Sequence, residues 1–282
     1  MPFQILRKLG QGGYGTLYEG IDVETQTPVA LKKMSLVSEA GISFVCLREA
    51  TTLKTLAHPN VVKLHRVELT SDHMFLVLEF CDGGDLNDYL QSLVSPMDEG
   101  RMRSYALQML LALEYMHNLR IAHRDLKPDN MVLCGADKAT LKVCDFGLSR
   151  ALVASGVYTP RCATPFYRSP EIMMGAKRYD PMALDMWSIG CILMELITLR
   201  RTFPGANEFE VLLHVFRALG TPTEDTWPGV SKLPDYLPVF PKWRQRAMPV
   251  RTPVDIVEIA RGTLRLRPEE RMDAAAAVRC LV

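Results

Sequence analysis

The chain has 282 residues, of which 48% are hydrophobic and 23% charged, with a formal net charge of +1. At roughly 100–200 residues per domain this length allows about two domains with substantial cores. Basic and acidic residues are interspersed, which excludes attraction to nucleic acid or to a membrane surface through bulk charge, and neither partner is expected.

In chain order, the first third reads as strands. The runs "YGTLYEGIDV" and "TPVALKKM" alternate and are rich in β-branched and aromatic residues, and the turn-like "ETQT" joins them as a hairpin. "VVKLHRVEL" and "MFLVLEF" are two further strands, and "EAGISFVCLREATTLKTLAHPN" between the pairs predicts one helix ended by His58-Pro59-Asn60. Strand character gives way to helix near "EFCDGGDL". The run "SPMDEGRMRSYALQMLLALEYMHNL" sets Met102, Ala106, Met109, Leu110, Leu113 and Met116 along one helical face, with Ser95 as N-cap and Pro96 at the first position. A second apolar helix starts at Asp180 and Pro181, and the segment from Thr221 to Met248, rich in proline and aromatics, reads as an ordered loop.

The most informative stretch is "LGQGGYGTLYEG", with G-x-G-x-x-G at Gly10, Gly12 and Gly15. Unrelated sites share this pattern. A dinucleotide fingerprint needs its glycines to open a helix, so that the helix N-terminus meets the pyrophosphate. Here Gly15 is followed by the strand-like Thr16-Leu17-Tyr18-Glu19, so the glycines sit at a hairpin tip, and no G-x-x-x-x-G-K-[S/T] occurs. A glycine hairpin whose backbone approaches phosphates fits a loop that covers ATP.

Further motifs follow in order. "VALK" brings Lys32, "LREATTL" brings Glu49, "HRDLKPDN" brings Asp125, Lys127 and Asn130, "CDFG" brings Asp145, and "SPE" ends at Glu171. With these motifs the chain resembles the eukaryotic protein kinases over nearly its whole length. The resemblance implies an α+β, bilobal fold over 1–282, with a small antiparallel sheet and one main helix in an N-lobe (1–81) and a larger, mainly helical C-lobe (82–282). It implies a nucleotide in the crevice between the lobes, with ATP and Mg²⁺ as cofactors. Leu9, Gly10, Gly12, Gly13, Tyr14, Gly15, Leu17, Ala30, Lys32 and Val132 would contact ATP, and Glu79 and Cys81 would offer it backbone groups. Leu78 would line the back of that pocket. Phosphoryl transfer asks mainly for alignment and charge neutralisation. Lys32, aimed by Glu49, would neutralise the α- and β-phosphates, and Asp145 and Asn130 are hard oxygen ligands suited to Mg²⁺. Asp125 would accept the proton of the substrate hydroxyl, and Lys127 would stabilise the transferring group. His123 reads as a packing residue of the loop.

The stretch "GTP…WPGV…LPDY…FPKW" inside 200–248 is similar to that of the cyclin-dependent kinases. For that group the resemblance implies a cyclin-type subunit on a helix at 41–56, a small adaptor subunit near 205–243, and activation by phosphorylation of Thr159. Arg48, Arg124 and Arg150 match the arginines that gather around such a phosphate. Arg168, with Thr164, would set preference for Ser or Thr followed by Pro in protein substrates. Tyr14 matches an inhibitory phosphorylation site, although its family partner threonine is Gly13 here. Arg271 matches the arginine that pairs with Glu171. The helix carries "GISFVCLRE" in place of the family's best-known cyclin-contacting sequence. Two other readings stand beside this one: a related kinase of mitogen-activated type that needs no cyclin, and a catalytically silent pseudokinase scaffold. The first lacks its Thr-x-Tyr motif here, and the second would have lost Lys32, Asp125 or Asp145.

The seven cysteines include no C-x-x-C pair, which argues against zinc ribbons and thioredoxin-type chemistry. Most sit in apolar runs, so reduced thiols in an intracellular protein of nucleus or cytoplasm are expected, with Cys144 a buried, inert thiol. "MPFQILRKLG" lacks the apolar core of a signal peptide, and "WSIGCILMELITL" is short for a bilayer span and carries Glu195. A soluble chain is expected.

Overall fold

The computed structural model describes residues 2–13, 15–38, 41–42, 44–152, 156–159, 162–246 and 252–282, with backbone alone at 37–38, 41–42 and 44. Tyr14 lies outside the described residues. The chain opens with β1 (Phe3–Gly12), β2 (Gly15–Asp22), β3 (Pro28–Ser35), β4 (Val37–Ser38), β5 (Gly41–Ile42), α1 (Phe44–Thr55), β6 (Leu64–Leu69) and β7 (His73–Glu79). It continues through α2 (Leu86–Ser92), α3 (Glu99–Asn118), β8 (Ile121–Ala122), β9 (Met131–Cys134), β10 (Thr140–Val143) and β11 (Arg150–Ala151). The last helices are α4 (Pro170–Met173), α5 (Pro181–Thr198), α6 (Glu208–Leu219), α7 (Val254–Thr263) and α8 (Ala274–Arg279).

Two compact units result, one of Met1–Gly84 with Val132–Ser149 and one of Asp85–Met131 with Arg150–Val282. The sequence reading instead divides the chain once, at 81/82. Residues 132–149 depart from it because their backbone bonds to the first unit. Gly83 N donates to Leu133 O at 2.9 Å, Leu133 N to Gly84 O at 2.8 Å, and Val62 N to Val143 O at 3.0 Å. The buried Asn60 amide adds a bond to Leu141 O at 2.8 Å.

In the first unit, β1, β2, β3, β7 and β6 lie side by side in that order, all antiparallel. Side chains alternate between the faces of a strand. Val29 and Leu31 of β3 therefore join Phe3, Phe75 and Val77 in a core, and Ala30 and Lys32 take the other face. Leu31 loses all its exposure, a burial worth roughly 1.5–3 kcal/mol. Asp22 closes the β2–β3 turn. Its carboxylate pairs with Arg66 and accepts from the N–H groups of Thr25 (3.1 Å) and Glu24 (3.0 Å). Those bonds, Arg66 first, hold its pKa down to about 2.

The helix predicted over 39–60 is shorter, and so is the 41–56 helix expected to meet a partner: α1 begins at Phe44, and 41–42 is strand β5, paired with β4. Gly41 carries high backbone entropy and Ile42 is β-branched, so neither favours a helix start. The other end stops before His58, whose position ahead of Pro59 disfavours helical backbone.

The second unit is helical. The N-cap of α3 is Asp98 rather than Ser95, because its Oδ2 accepts from Arg101 N at 2.9 Å. The six apolar residues predicted for one face of α3 are all buried. Asp180 caps α5 as expected, accepting from Met182 N at 2.9 Å with Pro181 next. α5 has the length and composition to cross a membrane, yet 83% of it is buried in the fold, which marks it as a core helix. Residues 221–246 hold a single turn of 3-10 helix, Val230–Lys232, among irregular turns, and Trp227, Val230 and Phe240 anchor them in the interior.

Glu171 and Arg271 form a bidentate pair at 2.8 and 2.5 Å, with side chains only 4% and 1% exposed. The remaining guanidinium donors reach the carbonyls of Ala183, Arg265 and Leu266, and the Trp187 ring lies 5.1 Å away. Removing one partner of a buried, fully bonded pair strands the other charge. Arg271→Met should therefore lower the free energy of urea unfolding by about 3–5 kcal/mol. A loss below about 1 kcal/mol, the scale of an exposed pair, would contradict this.

Candidate active site

Each unit carries its own constellation. In the first, Lys32 reaches from the central strand β3 to Glu49 on α1, with Nζ 2.7 and 2.8 Å from the carboxylate oxygens. The same ammonium lies 2.7 Å from Asp145 Oδ1, just beyond β10. Burial works against the Lys32 charge, but the carboxylates of Glu49 and Asp145 outweigh it and hold its pKa above the usual lysine value. Burial also pushes Glu49 up, against the pull of Lys32.

The two carboxylates are not equivalent. Glu49 is 1% exposed and can only orient the lysine, whereas Asp145 is 38% exposed and keeps a face open to a ligand. The backbone of Asp145 has φ of 61°, a left-handed conformation unusual for a side-chain-bearing residue. Cys144 beside it is half-buried rather than buried.

The glycine hairpin joins β1 to β2, with Gly12 opposite Gly15 in register. Gly15 has φ of 153°, and a Cβ there would lie 2.4 Å from Lys33 O, so only glycine fits. Gly12 and Gly13 are exposed, and Leu9, at 38%, is an exposed apolar residue on β1. Gly10 faces Leu17, Leu17 faces Lys32, and Ala30 pairs with the buried Leu78. Leu17, Ala30, Val132, Glu79 and Cys81 are half-buried, and all belong to this unit. Arg48, on α1, also belongs to it and is half-buried.

In the second unit, Asp125 and Lys127 meet, with Lys127 Nζ 3.4 Å from Asp125 Oδ2. Thr164 joins them. Its hydroxyl donates to Asp125 Oδ1 at 3.3 Å and accepts from Lys127 Nζ at 3.2 Å. Asn130 Nδ2 donates to Asp125 O at 2.8 Å and to Oδ2 at 3.3 Å, which leaves the amide oxygen as a ligand. This loop is held from beneath by a residue that the motif analysis misses, Asp185 on α5. Its fully buried carboxylate accepts from Arg124 N at 2.7 Å and from His123 N at 2.8 Å, and lies 3.0 Å from His117 Nε2. Arg124 itself has φ of 68°. The available signal was a lone carboxylate within the apolar "MALDMWSIG" run, since a buried charge must find partners.

The segment before Glu171 is tied to the same loop. Buried Arg124 sends Nη2 to Thr159 O (3.0 Å), Thr159 Oγ1 (3.3 Å) and Tyr179 Oη (2.8 Å). Its guanidinium lies 5.5 Å from the Tyr158 ring. Thr159 is exposed, and Arg150 stands on β11, paired with Ala122 of β8. Arg168 is held at three points, by Cys162 O (2.8 Å), Ala163 O (2.7 Å) and Glu208 Oε1 (2.7 Å). The partners Tyr179 and Glu208 carry no motif and are legible only in three dimensions.

Asp145 in the first unit and Asn130 in the second each offer an oxygen of the hard kind that a divalent cation takes. The exposed glycine backbone and the adjacent ammonium likewise suit a polyphosphate. A family model described as protein kinase domain matches residues 3–280. That match covers both constellations and nearly the whole chain, with its antiparallel sheet followed by a mainly helical part, and the chain belongs to the protein kinase family.

Proposed function

We propose that this kinase transfers the γ-phosphoryl group of ATP to Ser or Thr followed by Pro, as a divergent member of the cyclin-dependent group. Asp125 accepts a hydrogen bond from the substrate hydroxyl and takes its proton as the new O–P bond forms and the bond to the β-phosphate oxygen breaks, releasing ADP. Lys127 and Thr164, bonded to that carboxylate, hold its orientation, and Lys127 adds positive charge for the phosphoryl oxygens. Lys32, aimed by Glu49, neutralises the α- and β-phosphates. Asp145 and Asn130 would hold Mg²⁺, which when bound neutralises charge on the phosphate oxygens.

One observation carries the proline preference. Arg168 engages the carbonyls of Cys162 and Ala163, and Ala163 has φ of 59°. Carbonyls engaged in this way accept less well from the N–H of an ordinary residue after the phosphorylated one, and proline has no N–H to lose.

The setting of Thr159 supports an on-switch worked by its phosphorylation. A phosphate there adds about −1.5 to −2 of charge beside the Arg124 guanidinium, which already bonds the threonine. Exposed Leu47 on α1 offers an apolar contact for a cyclin-type subunit. Exposed Phe209, Leu237 and Val239 do the same for a small adaptor near 205–243. The buried, apolar settings of Cys46, Cys162 and Cys191 suit thiols of an intracellular protein, in nucleus or cytoplasm. One observation favours the second reading, a kinase that needs no cyclin: the Lys32–Glu49 pair is formed within this chain alone.

Three measurements test the proposal. In a peptide library, the wild type should phosphorylate Ser-Pro peptides well above Ser-Ala peptides, and Arg168→Ala should flatten that ratio by about tenfold or more, the effect of one lost charge-assisted network. Equal rates on both peptides by the wild type would contradict the assignment. Thr159-phosphorylated protein should exceed Thr159→Ala by about tenfold or more in kcat/KM, the scale of one or two new charge-assisted bonds. Equal activity would remove the switch. Full activity of the purified monomer would replace the cyclin-dependent reading by the cyclin-free one.

A further inference from the structure

Glu79, Cys81 and Cys134 form a third constellation, in which the side chains of the two cysteines play no part in the phosphoryl-transfer reading. One carboxylate oxygen and the two sulfurs all lie within 4.8 Å of one another, and all three residues are half-buried, so solvent reaches them. They come from two segments of the first unit. Glu79 ends β7, Cys81 follows two residues later, and Cys134 ends β9. The segments are locked together by backbone bonds, Gly83 N to Leu133 O at 2.9 Å and Leu133 N to Gly84 O at 2.8 Å. The Asp82 carboxylate adds a bond from Gly135 N at 2.8 Å. The ligand atoms are thus assembled before any ion arrives, which removes most of the ordering cost of binding.

We propose that Glu79, Cys81 and Cys134 bind a zinc-class divalent ion, with water in the fourth position. Two sulfurs with one carboxylate select a borderline-soft, tetrahedral ion over Mg²⁺ or Ca²⁺, which demand all-oxygen shells. Bonds of about 2.0–2.3 Å place neighbouring ligands of such an ion within 4 Å or so of each other, so atoms already within 4.8 Å need only a small closing movement. Each thiol that binds releases its proton to solvent, because the thiolate is the ligand. The opposing group is Lys142, whose Nζ holds Glu79 Oε1 at 2.9 Å. It keeps the carboxylate ionised but competes with the metal for it, so removing this cation should tighten binding. A bound ion would tie the Glu79–Gly84 segment to β9.

The full chain, reduced with a phosphine that does not bind metal, is titrated with Cd²⁺ and the sulfur-to-cadmium charge-transfer absorption is followed. One Cd²⁺ per chain is expected, displaced by Zn²⁺ and accompanied by proton release. Cys81→Ser and Cys134→Ser should each abolish the band or weaken binding at least about tenfold, as loss of one of three ligands requires. Lys142→Met should strengthen binding, and Cys46→Ser and Cys280→Ser should leave it unchanged. Far-ultraviolet circular dichroism checks that the variants fold. The wild type alone gives a second readout: Zn²⁺ should protect Cys81 and Cys134, and not Cys280, from alkylation measured by peptide mass spectrometry. Absence of the band in the wild type, its persistence in both serine variants, or alkylation of Cys81 and Cys134 unaffected by Zn²⁺ would overturn the proposal.

Discussion

An ammonium held between two carboxylates organises the first unit. Lys32, on the sheet face opposite the Leu31 core, makes its three shortest contacts to Glu49 and Asp145, which lie 17 and 113 residues away along the chain. Taking such a group out of water is costly unless charge and hydrogen bonds compensate, and here both are present. The central strand, α1 and the turn after β10 must therefore keep their places together. The partners differ in exposure, so one fixes the lysine and the other stays available to a ligand.

The second unit shows the same principle in a different chemistry. Asp185 holds the amides of His123 and Arg124, and Glu171 holds Arg271, with each acceptor buried and multiply bonded. These bonds stabilise backbone that would otherwise be disfavoured, the left-handed Arg124 among it. Asp125, Lys127 and Thr164 are presented from that base, so the orientation of the Asp125 carboxylate depends on buried residues beneath it.

Much of this was legible in the chain because the chemistry of phosphate handling restricts residue type. Lys32, Asp125, Asn130 and Asp145 stand in motifs whose order carries more information than any one of them. The glycine loop became readable only from the strand that follows it. Periodicity found the buried face of α3 and proline chemistry found the start of α5. The N-cap of α3 was misread because Ser95-Pro96 and Asp98 are both good local signals, and only the bond to Arg101 N decides between them. Residues 132–149 were given to the second unit because a sequence cannot show that their backbone pairs with residues many positions earlier. Asp185, Tyr179 and Glu208 were invisible for a related reason, since a partner's identity depends on which elements the fold brings together.

The central claim is that these side chains perform phosphoryl transfer. Its most direct test follows γ-phosphate transfer from ATP to a Ser-Pro peptide in Mg²⁺, alongside binding of a nonhydrolysable ATP analogue, for the wild type, Asp125→Asn and Asp145→Asn. The account predicts transfer by the wild type and a fall in kcat of about 10²–10³-fold or more in each variant, the scale of removing one preorganised group from a reaction centre, with analogue binding retained by Asp125→Asn. Undiminished turnover in either variant, or analogue binding by a wild type that transfers no phosphate in any phosphorylation or partner state, would contradict it.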